Sequence, residues 1–126
     1  MQVASPSILI TDDDRDFRET LREVFEPRGY RTWLAEDGEE ALHILLHESI
    51  HVAVIDMHMP RLDGLKAVQR ARECRIVIPF ILLSAALDDR LIEAARRVDI
   101  FASLAKPVSF SDITRIVSDA LRVSLE

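Results

Sequence analysis

The sequence predicts an α/β domain built on a doubly wound, five-stranded parallel sheet with helices on both faces. Two observations lead to this fold class. Short apolar runs alternate five times with longer segments of helical periodicity, and the connections between them are short. The run Val52–Asp56 is apolar up to its terminal carboxylate, which is typical of a strand buried on both faces of a parallel sheet. Right-handed crossovers then leave only a few doubly wound strand orders.

The first two strand–helix units are predicted in the amino-terminal part of the chain. A strand at Ser7–Thr11 ends in the acidic run 12–14, and the helix after it stops at the proline and glycine of 27–29. The apolar face of this helix is predicted to carry Phe17, Leu21, Val24 and Phe25. Arg31–Ala35 is the second strand, and a turn at Asp37 and Gly38 begins the second helix. The predicted inner face of that helix consists of Ala41, Leu42, Leu45 and Leu46.

The remaining three units follow the same pattern. After the strand Val52–Asp56, a helix carries Leu65, Val68 and Ala71 on one face. The apolar stretch 76–84 contains Pro79, which limits the regular fourth strand to 80–83. A helix at about 88–97 is predicted to turn Leu91, Ile92, Ala95 and Val98 inward. A weaker fifth strand at 101–105 precedes a last helix, capped by Ser109 or Ser111. The apolar face of this last helix is predicted to carry Ile113, Ile116, Val117, Ala120 and Leu121.

Length and composition predict one domain, residues 1–126, with a core over about 7–123. The formal net charge of −6 argues against direct binding of nucleic acid through a basic surface. A single cysteine, Cys74, excludes an internal disulfide framework and fits a reducing compartment. No targeting segment or bilayer-length apolar run is present in the sequence, so we expect a cytoplasmic protein without membrane contact.

Chemically capable side chains stand where the predicted strands end. Asp12 and Asp13 follow the first strand, Asp56 ends the third, Ser84 the fourth, and Lys106 follows the fifth. Because parallel strands place their carboxyl ends on one edge, these groups should converge there. Clustered carboxylates raise one another's pKa unless a cation is present, and their hard oxygen atoms suit Mg²⁺. A nucleophilic carboxylate, a metal, an ammonium and a hydroxyl are the components of phosphoryl transfer.

With these residues in place, the chain resembles a response-regulator receiver domain of two-component signalling. The resemblance covers Ser7 to about Val123 and rests on four pieces in order. These are Ile8-Leu9-Ile10-Thr11-Asp12-Asp13, Asp56-Met57-His58-Met59-Pro60 with Gly64, Ser84-Ala85, and Lys106-Pro107. The resemblance implies a flavodoxin-like strand order, 2-1-3-4-5. It also implies a protein that is no enzyme towards other substrates and catalyses only its own phosphorylation and dephosphorylation.

The resemblance also implies a role for each site residue. Asp56 would accept a phosphoryl group from a histidine kinase or a phosphotransfer protein. Asp13, Asp56 and the backbone carbonyl of His58 would hold Mg²⁺ directly, and Asp12 would act largely through water. The other two residues act on the phosphoryl group itself. Ser84 would hydrogen-bond to it, and Lys106 would pair with its charge.

Three features depart from the usual family pattern. Ser103 stands where an aromatic residue is common, and we expect Phe101, on the same strand face, to substitute imperfectly. Asp99 and Ile100 replace the usual Gly-Ala before the fifth strand. Both changes fall on the face of helix 4, strand 5 and helix 5, which family members often use for homodimers or output. His58 and Ala86 flank the path of attacking water, and Ala86 cannot orient it, so we predict slow self-dephosphorylation.

Two other functions remain open at this level. The first is a receiver-fold interaction module that signals largely independently of phosphorylation, which Ser103 and Asp99 favour. The second is a small aspartate-dependent phosphatase. The phosphatase is disfavoured because His58 stands where such enzymes carry a second acid, and because 126 residues leave no room for a cap over the substrate.

Overall fold

The computed structural model describes residues 5–125 and confirms the predicted fold class. The strands are β1 (Ser7–Thr11), β2 (Arg31–Ala35), β3 (Val52–Asp56), β4 (Phe80–Ser84) and β5 (Ala102–Ala105). The helices are α1 (Arg15–Phe25), α2 (Gly38–His47), α3 (Gly64–Glu73), α4 (Asp89–Arg97) and α5 (Phe110–Leu125), with a 3₁₀ turn (Glu26–Arg28) after α1. Within the described residues, no helix combines the length and apolar composition needed to cross a bilayer.

The five strands form one parallel sheet in the order β2-β1-β3-β4-β5, as the family resemblance implied. Every residue of β1, β3 and β4 is buried, whereas the edge strands β2 and β5 keep partly exposed residues. The direction of chain progression across the sheet reverses between β1 and β3. Doubly wound sheets form a crevice beyond the carboxyl ends of the strands at such a reversal.

Two apolar cores cover the two faces of the sheet, because side chains alternate between faces along each strand. Leu9, Ala53 and Leu82 point into the core formed with α2, α3 and α4. Ile10 and Val54 point into the other core, which is formed with α1 and α5. The helices therefore shield both faces and leave the carboxyl edge of the sheet open for chemistry.

Four helices begin at aspartates that lie near this edge. Asp14, Asp37, Asp63 and Asp88 each accept a hydrogen bond from a backbone N–H in the first turn of the helix that follows. Ser109 has the same role at α5, where its Oγ accepts from the N–H of Asp112 at 3.3 Å. The sequence predicted either Ser109 or Ser111 as the cap of this helix, and the structure shows that it is Ser109.

Two details of the sequence prediction are wrong. Leu46 is 51% exposed and does not belong to the inner face of α2, because it lies about 100° around the helix from the buried Leu45. The fifth strand begins at Ala102 rather than Phe101, whose side chain is 40% exposed. Smaller differences of a single residue occur at the end of β4, which includes Ser84.

Candidate functional site

The carboxylates of Asp12, Asp13 and Asp56 form one cluster at the carboxyl edge. An oxygen from each lies within 4.8 Å of the others. The β1–β3 register pairs Thr11 with Ile55, so Asp12 and Asp56 leave neighbouring strands side by side. Asp12 is 1% exposed and Asp56 is 4% exposed, whereas Asp13 is open to solvent. The expected acidic cluster therefore forms, with two buried members and one accessible member.

Lys106 supplies the cation at this cluster. Its Nζ lies 2.7 Å from Asp12 Oδ2 and 3.2 Å from Asp56 Oδ1. Its backbone N–H donates to the carbonyl of Ser84 at 2.9 Å, which continues the β4–β5 pairing into the site. The family resemblance implied that Lys106 would pair with the charge of a phosphoryl group, and the structure shows contacts to Asp56 and, closer, to Asp12. Lys106 thus bridges the two buried carboxylates.

The charges in the site shift the pKa values of its groups. Burial raises the pKa of the Asp56 carboxyl, the charge of Asp12 raises it further, and Lys106 opposes both effects without cancelling them. Burial lowers the pKa of the Lys106 ammonium, but the hydrogen bond and charge of Asp12, together with Asp56, outweigh burial and raise it. Lys106 therefore stays protonated and favours the ionised, nucleophilic form of Asp56, against the effects of burial and Asp12.

Ser84 is fully buried at the end of β4, and its hydroxyl has two neighbours. Ser84 Oγ accepts a hydrogen bond from the N–H of Ala86 at 3.0 Å, and it lies 3.4 Å from Nε2 of His58. The imidazole of His58 is exposed and comes from the loop that follows Asp56. The hydroxyl and the imidazole thus connect the end of β4 to the end of β3.

The loop between β3 and α3 packs tightly behind Asp56. The N–H of Gly64 donates to the carbonyl of Met57 at 2.9 Å. A Cβ at residue 64 would lie 2.5 Å from the carbonyl oxygen of Asp56, so only glycine fits there. This close approach packs the start of α3 against the backbone of Asp56 and Met57.

Three contacts at the site were not predicted from the sequence. The ring of Phe17 lies 4.7 Å from Lys106 Nζ, in cation–π geometry. Arg18 Nη1 donates to the backbone carbonyl of Asp12 at 2.6 Å. Arg61, whose φ is 69°, pairs with the buried Asp37 and ties the β3–α3 loop to the start of α2. Of these three residues, only Phe17 could have been linked to the site from the sequence, because it lies in the first turn of a helix that begins at the acidic run.

Phe101 does not take the place of the missing aromatic residue. Its N–H donates to the carbonyl of Phe80 at 2.9 Å, at the opposite end of β4 from Ser84. Four residues of strand separate those positions, a distance of roughly 13 Å. Ser103 stands opposite Leu82, within the strand pair that leads to Ser84. The expectation that Phe101 substitutes for the aromatic residue is therefore wrong.

The sheet order and the polar edge together define the receiver class of α/β domains. The chain belongs to the response regulator receiver domain family, whose family model matches residues 8–118. The acidic cluster has a composition that could hold a metal ion.

Individual relatives agree with the family assignment. The chain is 35% identical over 117 residues to the response regulator MprA of Mycolicibacterium vanbaalenii, covering 91% of this chain and 50% of that protein. It is 32% identical over 116 residues to the regulatory protein AtoC of Escherichia coli, covering 92% of this chain and 25% of that protein. The chain thus spans from a quarter to half the length of these curated relatives.

Solved structures agree as well. The receiver domain of the Francisella response regulator 1452 matches with a TM-score of 0.89 and 31% identity, over 95% of this chain and 99% of that chain. A CheY-like receiver domain protein from Methanospirillum hungatei JF-1 has the same TM-score of 0.89 at 22% identity, over 94% of each chain. The second match supports the fold alone.

Proposed function

We propose that this domain is the phosphoacceptor of a two-component phosphorelay. Asp56 accepts a phosphoryl group from the phosphohistidine of a histidine kinase or a phosphotransfer protein, in a Mg²⁺-dependent reaction. The observation that carries this proposal is the convergence of three carboxylates on Lys106 at the carboxyl edge of the sheet. We also propose a cytoplasmic location for the domain, because its proposed kinase partner would phosphorylate it there.

The donor set of the cluster fits Mg²⁺. Asp12, Asp13 and Asp56 offer hard carboxylate oxygens, and Asp13 keeps its side chain accessible to a hydrated ion. Three carboxylates with one ammonium carry a formal excess of two negative charges, which a divalent cation neutralises. Asp13, Asp56 and the carbonyl of His58 would hold the ion, with Asp12 acting through water. When bound, the ion would reduce the repulsion between the phosphoryl oxygens and the carboxylates.

In the reaction, a carboxylate oxygen of Asp56 attacks phosphorus while the phosphorus–nitrogen bond of the phosphohistidine breaks. The phosphoryl group moves to Asp56, and the bonding electrons leave with the imidazole. Lys106 already lies 3.2 Å from Asp56 Oδ1 and is placed to pair with the charge of the transferred group. The protein catalyses its own modification and no other reaction.

Ser84 would report the modification to the rest of the molecule. Its hydroxyl is 3.4 Å from Nε2 of His58 and accepts from the N–H of Ala86. A phosphoryl oxygen on Asp56 is a stronger acceptor than the imidazole, so the hydroxyl turns towards it and leaves His58. This rearrangement shifts a two-state equilibrium of the loops around the site.

We place the output at the face of α4, β5 and α5, through a homodimer or through an effector domain or partner. β5 is an edge strand, and its Ser103 and Leu104 are only partly buried, so a second copy can cover them. Sedimentation equilibrium with and without beryllofluoride tests the homodimer. A protein that stays monomeric in both conditions excludes it.

The decisive experiment is phosphorylation by acetyl phosphate. Wild-type protein with Mg²⁺ should gain the mass of one phosphoryl group, whereas protein treated with a chelator and the Asp56→Asn variant should not. The Asp112→Asn variant is a matched control, because it removes an exposed carboxylate that is not part of the acidic cluster. A wild-type protein without mass gain in Mg²⁺ would refute the proposal.

A constitutive interaction module is the second candidate function, and Ser103 is the observation that favours it. In this candidate function, a movement of Ser84 does not reach the α4–β5–α5 face, because position 103 lacks the aromatic side chain that is common in the family. Amide resonances separate the candidates. A phosphorylation switch requires beryllofluoride with Mg²⁺ to move the resonances of both Ser84 and Ser103. A constitutive module leaves the resonance of Ser103 in place.

A further inference from the structure

A groove between α3 and α4 lies beside the site, and most of its lining takes no part in the chemistry described above. It consists of two adjoining concavities that share Met57 and Ala94. Its floor is mainly apolar and includes Leu65, Leu91 and Val98, which are partly buried against the core below them. The groove thus presents apolar surface along two helices at a place where no other segment of the described chain covers it.

Cations surround this apolar floor. Lys66 and Arg97 border one end of the groove and Arg90 borders the other, and all three side chains are exposed. None of them is in an ion pair within residues 5–125. The two aspartates in the lining, Asp63 and Asp88, are occupied as helix caps. The lining therefore has three cations against two carboxylates, a formal charge of +1, on a chain whose net charge is −6.

We propose that this groove is a docking site for an acidic amphipathic helix of a partner protein. Leucine-like side chains at i, i+3 or i+4, and i+7 match an elongated apolar floor, which is the helix-in-groove mode of recognition. Glutamates on the flanks of such a helix meet Lys66, Arg90 and Arg97. Extended polyanions such as nucleic acids fit less well, because they would also meet the acidic remainder of the chain.

The position of the groove connects it to the phosphorylation site. His58 and Ala86 line one end of the groove. Each lies two residues beyond a site residue, Asp56 or Ser84, and His58 Nε2 is 3.4 Å from Ser84 Oγ. If Ser84 turns towards a phosphoryl group, the groove loses the contact that holds this imidazole. Phosphorylation should therefore change the affinity for the helix, a step that rests on the proposed function.

The docking claim can be tested with a defined probe. A fluorescein-labelled peptide of about 15 residues is long enough for four helical turns. It carries leucines at helical spacing and glutamates on both flanks. We expect saturable binding by fluorescence anisotropy at physiological salt, and amide shifts of Leu65, Ala94 and Val98. A peptide with lysines in place of the glutamates should not bind.

Neighbouring arginines on α4 provide a matched pair of variants. Arg97→Glu should weaken binding of the acidic peptide about tenfold or more, the effect of losing a favourable charge contact and adding a repulsive one. Arg96→Glu makes the same change in net charge, but Arg96 lies outside the groove and pairs with Glu93. Circular dichroism checks that both variants are folded, and Arg97→Gln gives a milder test at the same position.

Three results would overturn the docking site. They are equal weakening by Arg96→Glu and Arg97→Glu, amide shifts confined to the α4–β5–α5 face, and self-association at the groove in place of peptide binding. The link to phosphorylation has its own test. Equal peptide affinity with and without beryllofluoride would overturn the link alone, provided that the Ser84 resonance moves. An unmoved Ser84 resonance would count against the proposed function instead, while anisotropy still decides docking.

Discussion

Lys106 lies closer to Asp12 than to the proposed phosphoacceptor, with its Nζ 2.7 Å from Asp12 Oδ2 and 3.2 Å from Asp56 Oδ1. Asp12 therefore holds the lysine beside Asp56 before any phosphoryl group arrives. The ring of Phe17, 4.7 Å from the same Nζ, limits its movement from another side. The site is thus organised in advance around one cation, which lowers the cost of ordering that side chain during phosphoryl transfer.

The first prediction concerns this cation. Lys106→Gln should lower the free energy of unfolding in metal-free buffer by about 3 kcal/mol, because it leaves two buried carboxylates unpaired. Adding Mg²⁺ should recover part of the loss, since the ion binds only the folded cluster. Urea unfolding with and without MgCl₂ measures both effects. Lys66→Gln, at an exposed lysine, should change neither value, and similar losses in the two variants would contradict this role of Lys106.

The second prediction concerns Asp37 at the start of α2. Hydrogen bonding from the N–H of Glu40, and then pairing with Arg61, lowers the pKa of the Asp37 carboxyl. A depressed pKa contributes stability above the ordinary carboxyl pKa, and the contribution is lost as pH falls through the folded-state value. Asp37→Asn keeps the cap but removes the charge. It should cost up to about 1 kcal/mol at neutral pH, since Arg61 is solvent-exposed.

That difference should shrink in acid. Urea unfolding of wild type and Asp37→Asn at pH 7 and at about pH 3 tests the sign of the pH dependence. Asp112→Asn, which removes an exposed carboxylate, is the control. A constant difference between wild type and Asp37→Asn at both pH values would show that the loss comes from the geometry of the cap rather than from the charge.

The third prediction concerns Thr11 on β1. Its Oγ1 is buried without a hydrogen-bond partner among the residues that the structure describes. Thr11→Val replaces the hydroxyl with a methyl group of similar size and should raise the free energy of unfolding by about 1 kcal/mol. Thr32→Val on β2 removes a hydroxyl that donates to Glu26 at 2.8 Å and should bring no such gain. Destabilisation by Thr11→Val would instead reveal a bound water at this hydroxyl.

The fourth prediction concerns the end of α4. Asp99 has a φ of 58° and follows a helix whose Ala95 carbonyl accepts from the N–H of Ile100, the arrangement of a glycine-type cap. Asp99→Gly should therefore stabilise the protein by about 1 kcal/mol. Arg75, with a φ of 65° after α3, offers the same test in Arg75→Gly. Thermal unfolding measures both, and a lower melting temperature in Asp99→Gly would assign a stabilising role to its side chain.

The fifth prediction concerns the lifetime of the phosphorylated state. Ala86 is exposed beside the Ser84 hydroxyl and offers no group that could orient water. Ala86→Glu should accelerate hydrolysis of the aspartyl phosphate by roughly tenfold or more, because a carboxylate there can position the attacking water. Loss of the phosphoryl mass after removal of acetyl phosphate gives the rate. Ala86→Leu separates charge from size, and an unchanged rate in Ala86→Glu would refute this account.

Much of the fold could be predicted because it rests on local patterns. The continuous apolar runs of β1, β3 and β4 identified strands buried on both faces, and the aspartate caps marked where helices begin. Errors arose at the margins of these patterns. Leu46 follows the apolar spacing of α2 but faces solvent, and Phe101 precedes the edge strand instead of lying within it. Where the covered surface of a helix or strand ends depends on the neighbouring elements, and periodicity alone does not indicate it.

The sequence by itself determined the residues that can meet. Asp12, Asp56, Ser84 and Lys106 each stand at the end of an apolar run, and parallel strands bring such ends to one edge. Only the tertiary structure decided how they meet. The preference of Lys106 for Asp12, the distance of Phe101 from Ser84, and the pairing of Arg61 with Asp37 depend on atoms that are far apart in the chain. Their separations follow from packing across the sheet, and no local spacing encodes them.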